Sequence, residues 1–209
     1  MRFYFSIILL FSFFYGTAQK QYPKDYFSPP LKIPIILSGT FGELRSNHFH
    51  SGLDIKTQGK QGIPIYAPAD GYVSRIKVQQ YGFGKAMYIK HPNGYTTVYA
   101  HLKKFIPSIQ KYVKSVQYKK ENYYTGNLFP KPEKFPVKKG ELIGYTGDTG
   151  GSGGPHLHYE IRDTKTEHII NPMLFGLVPN DDKSPTIQKL IAYPLNNGSR
   201  INNSSSKTI

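Results

Sequence analysis

The sequence contains no cysteine among its 209 residues, which excludes disulfide bonds and cysteine-bound metal ions. A domain of this composition must be held together by its own core, or by a metal at other ligands. Acidic residues are also scarce, with 13 Asp and Glu against 27 Lys and Arg, and the formal net charge is +14. Such a surface attracts polyanions. Because the lysines are scattered along the chain rather than gathered in one basic helix, we expect no nucleic acid partner.

Long apolar runs are absent except at the amino terminus. There, Arg2 precedes a run from Phe3 to Phe14, which is followed by the small residues Gly16 and Ala18. The run is shorter than the roughly 20 residues that a transmembrane helix needs. This pattern is typical of a signal peptide, here 1–18, and a retained membrane anchor is the alternative. We expect an exported protein of the periplasm, the cell envelope or the medium, with no stable membrane span after cleavage.

The rest of the chain has the pattern of a single β domain. After signal cleavage about 190 residues remain, enough for one domain with an appendage. We divide them into an extended entry segment at 19–34, a main domain at 35–178, and a polar tail at 179–209 that we expect to be disordered or cut short. In the main domain, short apolar runs are bounded by Gly, Pro and Asn, which predicts a mainly β, antiparallel architecture. The predicted strands are Pro64–Ala69, Tyr72–Val78, Ala86–Lys90, Tyr95–His101 and Leu142–Thr146.

Two local patterns add detail to this β architecture. His91–Gly94 lies between two predicted strands and predicts a hairpin turn with Asn-Gly at its centre. Behind Pro107, apolar residues recur at the i, i+3, i+4, i+7 spacing of an amphipathic helix, which we place at Pro107–Lys120. This helix lies inside a long insertion, 105–136, which we expect to pack beside the groove and restrict what enters it. The helical apolar residues are Ile109, Tyr112, Val113 and Val116.

Residues with metal-binding and proton-transfer chemistry lie in three short segments. His50 and Asp54 are four apart, so in an extended or gently turning chain they project to one side, and both are good zinc ligands. His156 and His158 are two apart, so on a strand both imidazoles point to the same face. His101 ends a predicted strand, where alternation places it on the same face as the tyrosines of that strand.

Each of these patterns has an ordinary structural explanation when taken alone. A His-x3-Asp pair is more often a surface hydrogen bond, and a single histidine on a strand is more often structural. Together in one β domain they favour a catalytic zinc centre, with three protein ligands, an open fourth position and two further histidines for proton transfer. We expect His48 to be solvated or to support the ligands, and Glu160 to have a structural or supporting role. We expect His91 and His168 to be bystanders.

The glycine-rich stretch Gly147–Gly154 has the composition of a phosphate-binding loop. It lacks the Gly-Lys-Ser/Thr ending of such loops and leads into a strand rather than a helix. We therefore expect it to bring the backbone close to a substrate beside His156.

An ordered set of short motifs covers nearly all of Leu37–Phe175. The motifs are Phe41–Arg45, His50–Ile55, Pro64–Gly71, Tyr81–Gly84, Tyr99–Leu102, Val137–Gly140 and Thr146–Glu160. In identity and order they resemble the lysostaphin-type (LytM-like) zinc metallopeptidases. The sequence departs from the compact pattern of that family through its insertion at 105–136, which leaves groove shape and substrate choice open and the metal site intact.

The resemblance has direct implications for fold and site. It implies a β fold of the duplicated hybrid motif kind, with a groove across a sheet. It also implies that His50, Asp54 and His158 bind zinc and that His101 and His156 form the catalytic pair.

The predicted function is that of a zinc metalloendopeptidase that hydrolyses the peptide cross-links of bacterial peptidoglycan, with stem peptides as its partners. Bound zinc activates water and polarises a carbonyl group, while one of His101 and His156 accepts a proton and the other stabilises the oxyanion. The sequence leaves open which histidine does which. Within the resembled family the targets are D-alanyl cross-links or glycine bridges. We favour the cross-links, because no additional wall-binding module is recognisable.

Two alternatives come from other functional classes. One is a catalytically silent envelope-binding module that activates a partner amidase, which missing ligands would favour, and none is missing here. The other is a carrier or phosphotransfer domain on a related β scaffold, which needs no metal triad. The export signal and the third ligand argue against it.

Overall fold

The computed structural model describes residues 21–179 and three short pieces of the tail, which are 186–187, 191–192 and 207–208. The expected signal peptide, 1–18, lies outside the described residues, as does most of the expected polar tail. Within the described part of the chain, no helix has the length and apolar character needed to cross a membrane.

The described residues form a mainly β fold of antiparallel sheets with one α-helix, so the predicted fold class is confirmed. Short 3-10 turns lie at Pro132–Lys134 and Pro172–Phe175. The elements are β1 (Leu37–Gly39), β2 (Leu53–Lys56), β3 (Pro64–Tyr66), β4 (Gly71–Val78), β5 (Lys85–Lys90), β6 (Tyr95–Ala100), β7 (Lys104–Phe105), α1 (Pro107–Lys120), β8 (Gly126–Leu128), β9 (Pro136–Val137), β10 (Leu142–Tyr145), β11 (His156–Asp163), β12 (Ile169–Ile170), β13 (Ile191–Ala192) and β14 (Lys207–Thr208).

The largest sheet has nine strands and carries the candidate site residues. Its strands lie in the order β1-β2-β11-β6-β5-β4-β8, with β12 beside β11 and β9 beside β4. Strands β3, β10 and β7 form a second sheet, and β13 pairs with β14. The five strands predicted from the sequence are all present. The greatest difference is in β3, which ends at Tyr66 rather than Ala69 because Pro68 has no N–H to continue the ladder.

Strand β11 turns one face to the hydrophobic core and the other to the candidate site. Leu157, Tyr159 and Ile161 are fully buried in the main hydrophobic core. Because successive side chains of a strand point to opposite faces, His156 and His158 lie on the other side of the sheet. We call this side the outer face.

Helix α1 has the bounds that the sequence predicts, with Pro107 in its first turn. Its apolar stripe buries Ile109 and Val113 in the main core. The helix of the insertion therefore packs with the core side of the large sheet, away from His156 and His158, and the expectation that this part of the insertion lies beside the groove is wrong. The same insertion reaches the outer face elsewhere, because its strand β8 pairs with β4 and extends the sheet.

The entry segment packs tightly against the domain. From residue 21 it contains no strand or helix, yet Phe27 and Leu31 are buried in the main core. The Phe27 ring lies edge-on to His91, with centroids 5.1 Å apart, and to Phe175 at 5.5 Å. These aromatic contacts fix the segment to the β5–β6 end of the sheet.

The hairpin between β5 and β6 is present at the predicted place, but its centre differs from the prediction. The N–H of Gly94 donates to the carbonyl of His91 at 3.2 Å, so Pro92 and Asn93 are the two central residues. Gly94 follows them with φ 85°, a left-handed conformation that glycine adopts without strain.

His101 follows the last residue of β6 with a left-handed backbone, φ 58°. Strict alternation placed it on the core face with Tyr95 and Tyr99, and this expectation is wrong. The left-handed residue breaks the two-residue period, so the imidazole turns to the outer face. There its ring centroid lies 4.7 Å from that of His156 and 5.9 Å from that of His158.

Candidate metal centre

Strand pairing brings two of the three expected metal ligands together. In the antiparallel register of β2 and β11, Asp54 lies directly opposite His158. His50 comes from the loop that leads into β2, and its backbone N–H donates to the carbonyl of Glu43 at 2.8 Å. The three side chains are buried, with residue exposures of 5% for His50, 8% for Asp54 and 4% for His158.

The donor atoms of these residues form an equilateral triangle. The Nε2 of His50, the Nδ1 of His158 and the Oδ1 of Asp54 are 3.0 Å from one another in all three pairs. A tetrahedral zinc ion with bonds of about 2.0–2.1 Å holds its ligand atoms about 3.3–3.4 Å apart. The triangle therefore needs a widening of only a few tenths of an ångström to fit zinc.

The outer hydrogen bonds of both imidazoles show which ring nitrogens carry lone pairs. The Nδ1 of His50 donates to the Thr40 carbonyl at 2.8 Å, and the Nε2 of His158 donates to Glu160 Oε1 at 2.9 Å. When both imidazoles are neutral, these bonds leave the two nitrogens that face each other unprotonated. Three lone pairs directed at one point repel each other unless a cation lies between them, which is the arrangement of a metal site.

The electrostatics of the site attract positive charge. Burial opposes ionisation of Asp54, but hydrogen bonds from His156, His158 and His50 hold its pKa well below the usual range. Burial lowers the pKa of His158, yet hydrogen bonds to Asp54 and Glu160 outweigh it and raise that pKa to about 9. A proton and a metal ion compete for the same lone pair. The high proton affinity of His158 therefore reports the pull of the two buried carboxylates on any cation.

Two groups support the ligands from behind. The Oδ2 of Asp54 accepts from Arg45 Nη2 at 2.9 Å, which leaves Oδ1 free for the centre. Glu160 is fully buried and accepts from His158, from Ser51 and, at 2.6 Å, from Arg162. Burial raises the pKa of Glu160, but His158 and Arg162 lower it to about 2, so it remains a carboxylate.

His101 and His156 lie beside the triangle and outside it. The ligand group found in the described residues consists of His50, Asp54 and His158. The Nδ1 of His101 donates to the Thr149 carbonyl, and the Nδ1 of His156 donates to the Gly154 carbonyl, both at 2.8 Å. In its neutral form each imidazole thus carries its lone pair on Nε2.

The environments of the two outer histidines differ. Burial lowers the pKa of His101 to about 4, although its bond to the Thr149 carbonyl acts in the opposite direction. Burial also opposes protonation of His156, but its contact with Asp54, 3.4 Å from Nε2 to Oδ1, raises its pKa.

The glycine-rich stretch holds both outer histidines in place. Thr149 and Gly154, whose carbonyls accept from His101 and His156, both belong to it. A Cβ at Gly84 would overlap the backbone of Thr149, so the stretch lies flat against the Tyr81–Gly84 loop. This positioning role was not foreseen, because backbone carbonyls leave no mark in the sequence. Arg45 was recognised only as part of a motif, and its spacing gave no hint of its contact with Asp54.

Two adjoining cavities form an open groove through the centre. They measure about 370 and 260 Å³ and share Arg45, Asp54, Gly153 and His156. The first extends toward Lys56, and the second toward Phe83. A chain laid in this groove crosses the ligands with room on both sides.

The remaining histidines lie away from the donor triangle. His48 is exposed at the rim of the groove, with its Nδ1 2.6 Å from Asn47 Oδ1. His168 is exposed. His91 is buried, donates to the Asp70 carbonyl and accepts from Thr97, both at 2.8 Å.

Comparison with known proteins gives consistent matches. Over 119 residues the chain is 37% identical to the DD-carboxypeptidase/endopeptidase Mpg of Neisseria meningitidis, which covers 57% of the chain and 21% of that protein. Over 99 residues it is 37% identical to the peptidoglycan DD-endopeptidase ShyC of Vibrio cholerae, with 47% of the chain and 17% of that protein covered. The chain thus spans about a fifth of the length of these curated relatives.

The fold matches a solved structure as well. The catalytic domain of the prophage-encoded M23 protein EnpA from Enterococcus faecalis superposes with a TM-score of 0.52 at 24% identity, covering 72% of this chain and 98% of that one. The model of Peptidase family M23 matches residues 48–118 and 123–172, which contain all five candidate site residues. The resemblance inferred from the motifs is confirmed, and the chain belongs to Peptidase family M23.

Proposed function

We propose that the protein is a zinc metalloendopeptidase that cleaves peptide cross-links of bacterial peptidoglycan after export to the cell envelope. The observation that carries this proposal is the convergence of three metal-ligating atoms beside two further histidines in an open groove. The names of Mpg and ShyC, both DD-endopeptidases, support the D-alanyl cross-link as the target over the glycine bridge.

In this proposal His50, Asp54 and His158 hold the zinc ion. Bound there, zinc supplies polarisation of a carbonyl oxygen and activation of water near neutral pH. Arg45 and Glu160 fix the orientation of Asp54 and His158 through their outer atoms.

His101 and His156 perform the proton transfers. Their Nδ1 atoms are hydrogen bonded to backbone carbonyls, so each directs its Nε2 toward the groove. One takes the proton of the attacking water and later delivers it to the leaving amine, and the other hydrogen bonds to the oxyanion. The proximity of their rings, 4.7 Å between centroids, lets both reach the same scissile bond.

The alternative of a silent module that activates a partner amidase makes a different prediction for the same groove. Such a module needs no complete donor triangle and no tautomer-fixed histidines, and this chain has both. A carrier or phosphotransfer domain also has no use for three converging donors.

Digestion of purified peptidoglycan tests the proposal. We expect the zinc-loaded protein to convert cross-linked muropeptide dimers to monomers, as followed by mass spectrometry, and to leave pentaglycine intact. A chelator and the His158→Ala variant should both stop the reaction. If the folded, zinc-loaded protein releases no product but stimulates an amidase, the protein is the silent module instead. If it cleaves pentaglycine alone, its target is the glycine bridge rather than the D-alanyl cross-link.

A further inference from the structure

A row of side chains crosses the outer face of the large sheet, from the candidate ligands to Lys77. His158 lies opposite Ala100, and Lys77 lies opposite Ala86. The register of β5 and β6 makes the two alanines neighbours in the same row. Three strand spacings of about 4.8 Å, or about 14 Å in all, separate His158 from Lys77.

Phe83 covers the small residues of this row. It packs against Ala86 and Ala100, and its ring centroid lies 5.1 Å from that of His158. On the other side, the Nζ of Lys77 is 5.9 Å from the same ring. Phe83 and the two alanines thus form an apolar surface, here called the floor, that extends from His158 in the donor triangle to the ammonium group of Lys77.

The charges around this floor leave Lys77 without a partner. Arg75 forms an ion pair with Glu167 at 2.9 Å, and Arg162 contacts Glu160 at 2.6 Å and Glu167 at 3.4 Å. The two carboxylates, Glu160 and Glu167, therefore pair with the two guanidinium groups. Among the residues that the structure describes, no carboxylate lies within ion-pair distance of Lys77, so one positive charge is uncompensated.

The insertion builds the far edge of this surface. Its strand β8 places Asn127 opposite Lys77. Phe129, two residues further along the chain, is 67% exposed, and its ring centroid lies 5.5 Å from the guanidinium of Arg75. The same guanidinium stacks on the ring of Tyr88 at 4.4 Å. These contacts immobilise Arg75 and keep it in its pair, while Lys77 remains available.

The surroundings of Lys77 favour an anionic ligand. Burial lowers the pKa of Lys77, and the positive charges of Arg75 and Arg162 lower it further. An incoming carboxylate would relieve this repulsion and replace lost hydration. Phe83 lines the groove, so a peptide that extends past its ring along the row would reach Lys77.

We propose that Lys77 is a carboxylate-binding subsite for the peptide substrate, with Phe83 as its floor and β8 of the insertion as its edge. This inference rests on the proposed function, because it assigns a subsite of the same groove. An extended peptide rises about 3.4 Å per residue, so a distance of about 14 Å places the bound carboxylate about four residues from the scissile bond.

The test uses two synthetic cross-linked peptides that differ only in a free carboxylate or a carboxamide about four residues from the scissile bond. Binding is measured by calorimetry on the zinc-loaded His156→Ala protein, so that turnover is not needed. We expect the carboxylate peptide to bind about tenfold more tightly than the amide. Adding Lys77→Met should remove the difference, Lys77→Arg should keep it, and Lys114→Met, an exposed change on α1, should not alter it.

Kinetics on the otherwise wild-type protein separate this inference from the proposed function. With the carboxylate peptide, Lys77→Met should raise KM about tenfold and leave kcat within twofold, because the cation lies three strands from His158. Equal binding of the two peptides by the His156→Ala protein would overturn the subsite even if both are cleaved. Preferential binding of the carboxylate peptide without cleavage would leave the subsite in place and overturn the peptidase.

Discussion

At the scale of single residues, the candidate centre divides into two sets with different atoms facing the groove. His50, Asp54 and His158 offer converging lone pairs, whereas His101 and His156 lie beside them with their Nδ1 atoms bound to carbonyls. The two sets should therefore respond differently to substitution.

The first prediction concerns metal content and rate. His158→Ala should lose most of the zinc, because two ligands bind it far more weakly than three. His101→Ala should keep about one zinc ion per chain and lose about 10² to 10⁴ in rate, since it transfers a proton or holds charge. Elemental analysis combined with single-turnover kinetics checks both. Loss of the metal from His101→Ala and His156→Ala alike would show that the ligands are assigned wrongly.

The second prediction concerns His91, which lies far from the groove. Burial lowers its pKa from 6.5 in the unfolded chain to about 4, although its bond to the Asp70 carbonyl acts in the opposite direction. The unfolded chain therefore binds more protons between these values. Stability due to His91 is complete above pH 6.5 and falls as pH drops toward 4, by up to about 3 kcal/mol.

Urea unfolding of the wild type and His91→Gln between pH 7.5 and 4 measures this contribution. The difference in free energy of unfolding between the two proteins should shrink as the pH falls, because only the wild type loses this term. If the free energies of unfolding of the two proteins change in parallel with pH, protonation of His91 does not destabilise the folded protein.

The sequence predicts all five candidate site residues, since their types and spacings suit zinc chemistry and match a known set of motifs, and their roles stay a prediction. Their orientation was not predictable throughout. The imidazole of His101 reaches the centre because the backbone of His101 itself is left-handed, and neither β propensity nor alternation predicts such a conformation. The contact of Arg45 with Asp54 depends on the path of the loop before β2. The contact of Glu160 with Ser51 depends on the pairing of β2 with β11, which joins residues about a hundred positions apart.

At the scale of elements, the glycine-rich stretch Gly147–Gly154 determines how the two outer histidines are presented. It supplies both acceptor carbonyls, and the Tyr81–Gly84 loop packs against it without room for a side chain. Displacement of the stretch should disturb His101 and His156 without touching the donor triangle.

The third prediction follows from this arrangement. Gly84→Ala would force its Cβ into the backbone of Thr149, and the resulting shift should lower the rate by about tenfold to a hundredfold while zinc content stays near one per chain. Gly94→Ala is the matched control, because Gly94 also has positive φ but has open space where a Cβ would go. Equal losses of activity per folded molecule in both variants would attribute the effect to backbone strain.

Elements with a strong period were predicted well, and short ones were not. Helix α1 has the predicted bounds, because four apolar residues mark one face and Pro107 marks its start. Strands β8 and β9 contain three and two residues and were missed, because so short a segment shows no alternation. Their pairing with β4 is tertiary information, and it makes the insertion part of the sheet rather than a loose appendage.

At the scale of the whole molecule, the excess of basic residues governs how the protein meets its surroundings. The formal net charge of +14 favours association with a carboxylate-rich polymer and makes that association sensitive to salt. Charge of this kind affects how fast the protein associates with the polymer and how long it stays bound more than it affects the rate of bond cleavage.

The fourth prediction is a separation of wall binding from peptide cleavage by ionic strength. Raising salt from about 0.1 M to 1 M shortens the Debye length from about 10 Å to about 3 Å, so sedimentation with purified wall should fall several-fold. Cleavage of a small neutral peptide should change by less than twofold over the same range. Retention that does not depend on salt would point to contacts other than charge.

The pairing of β2 with β11 has a consequence for the unfolded chain. Asp54 and His158 are 104 residues apart in sequence, so a metal ion held between them closes a loop of that length. A covalent cross-link closing a loop of about 100 residues lowers the entropy of the unfolded chain by an amount worth about 4.7 kcal/mol. In a protein without cysteine, the metal ion takes the place of a disulfide as the long-range tie, and chelation should make the polypeptide easier to unfold and to digest.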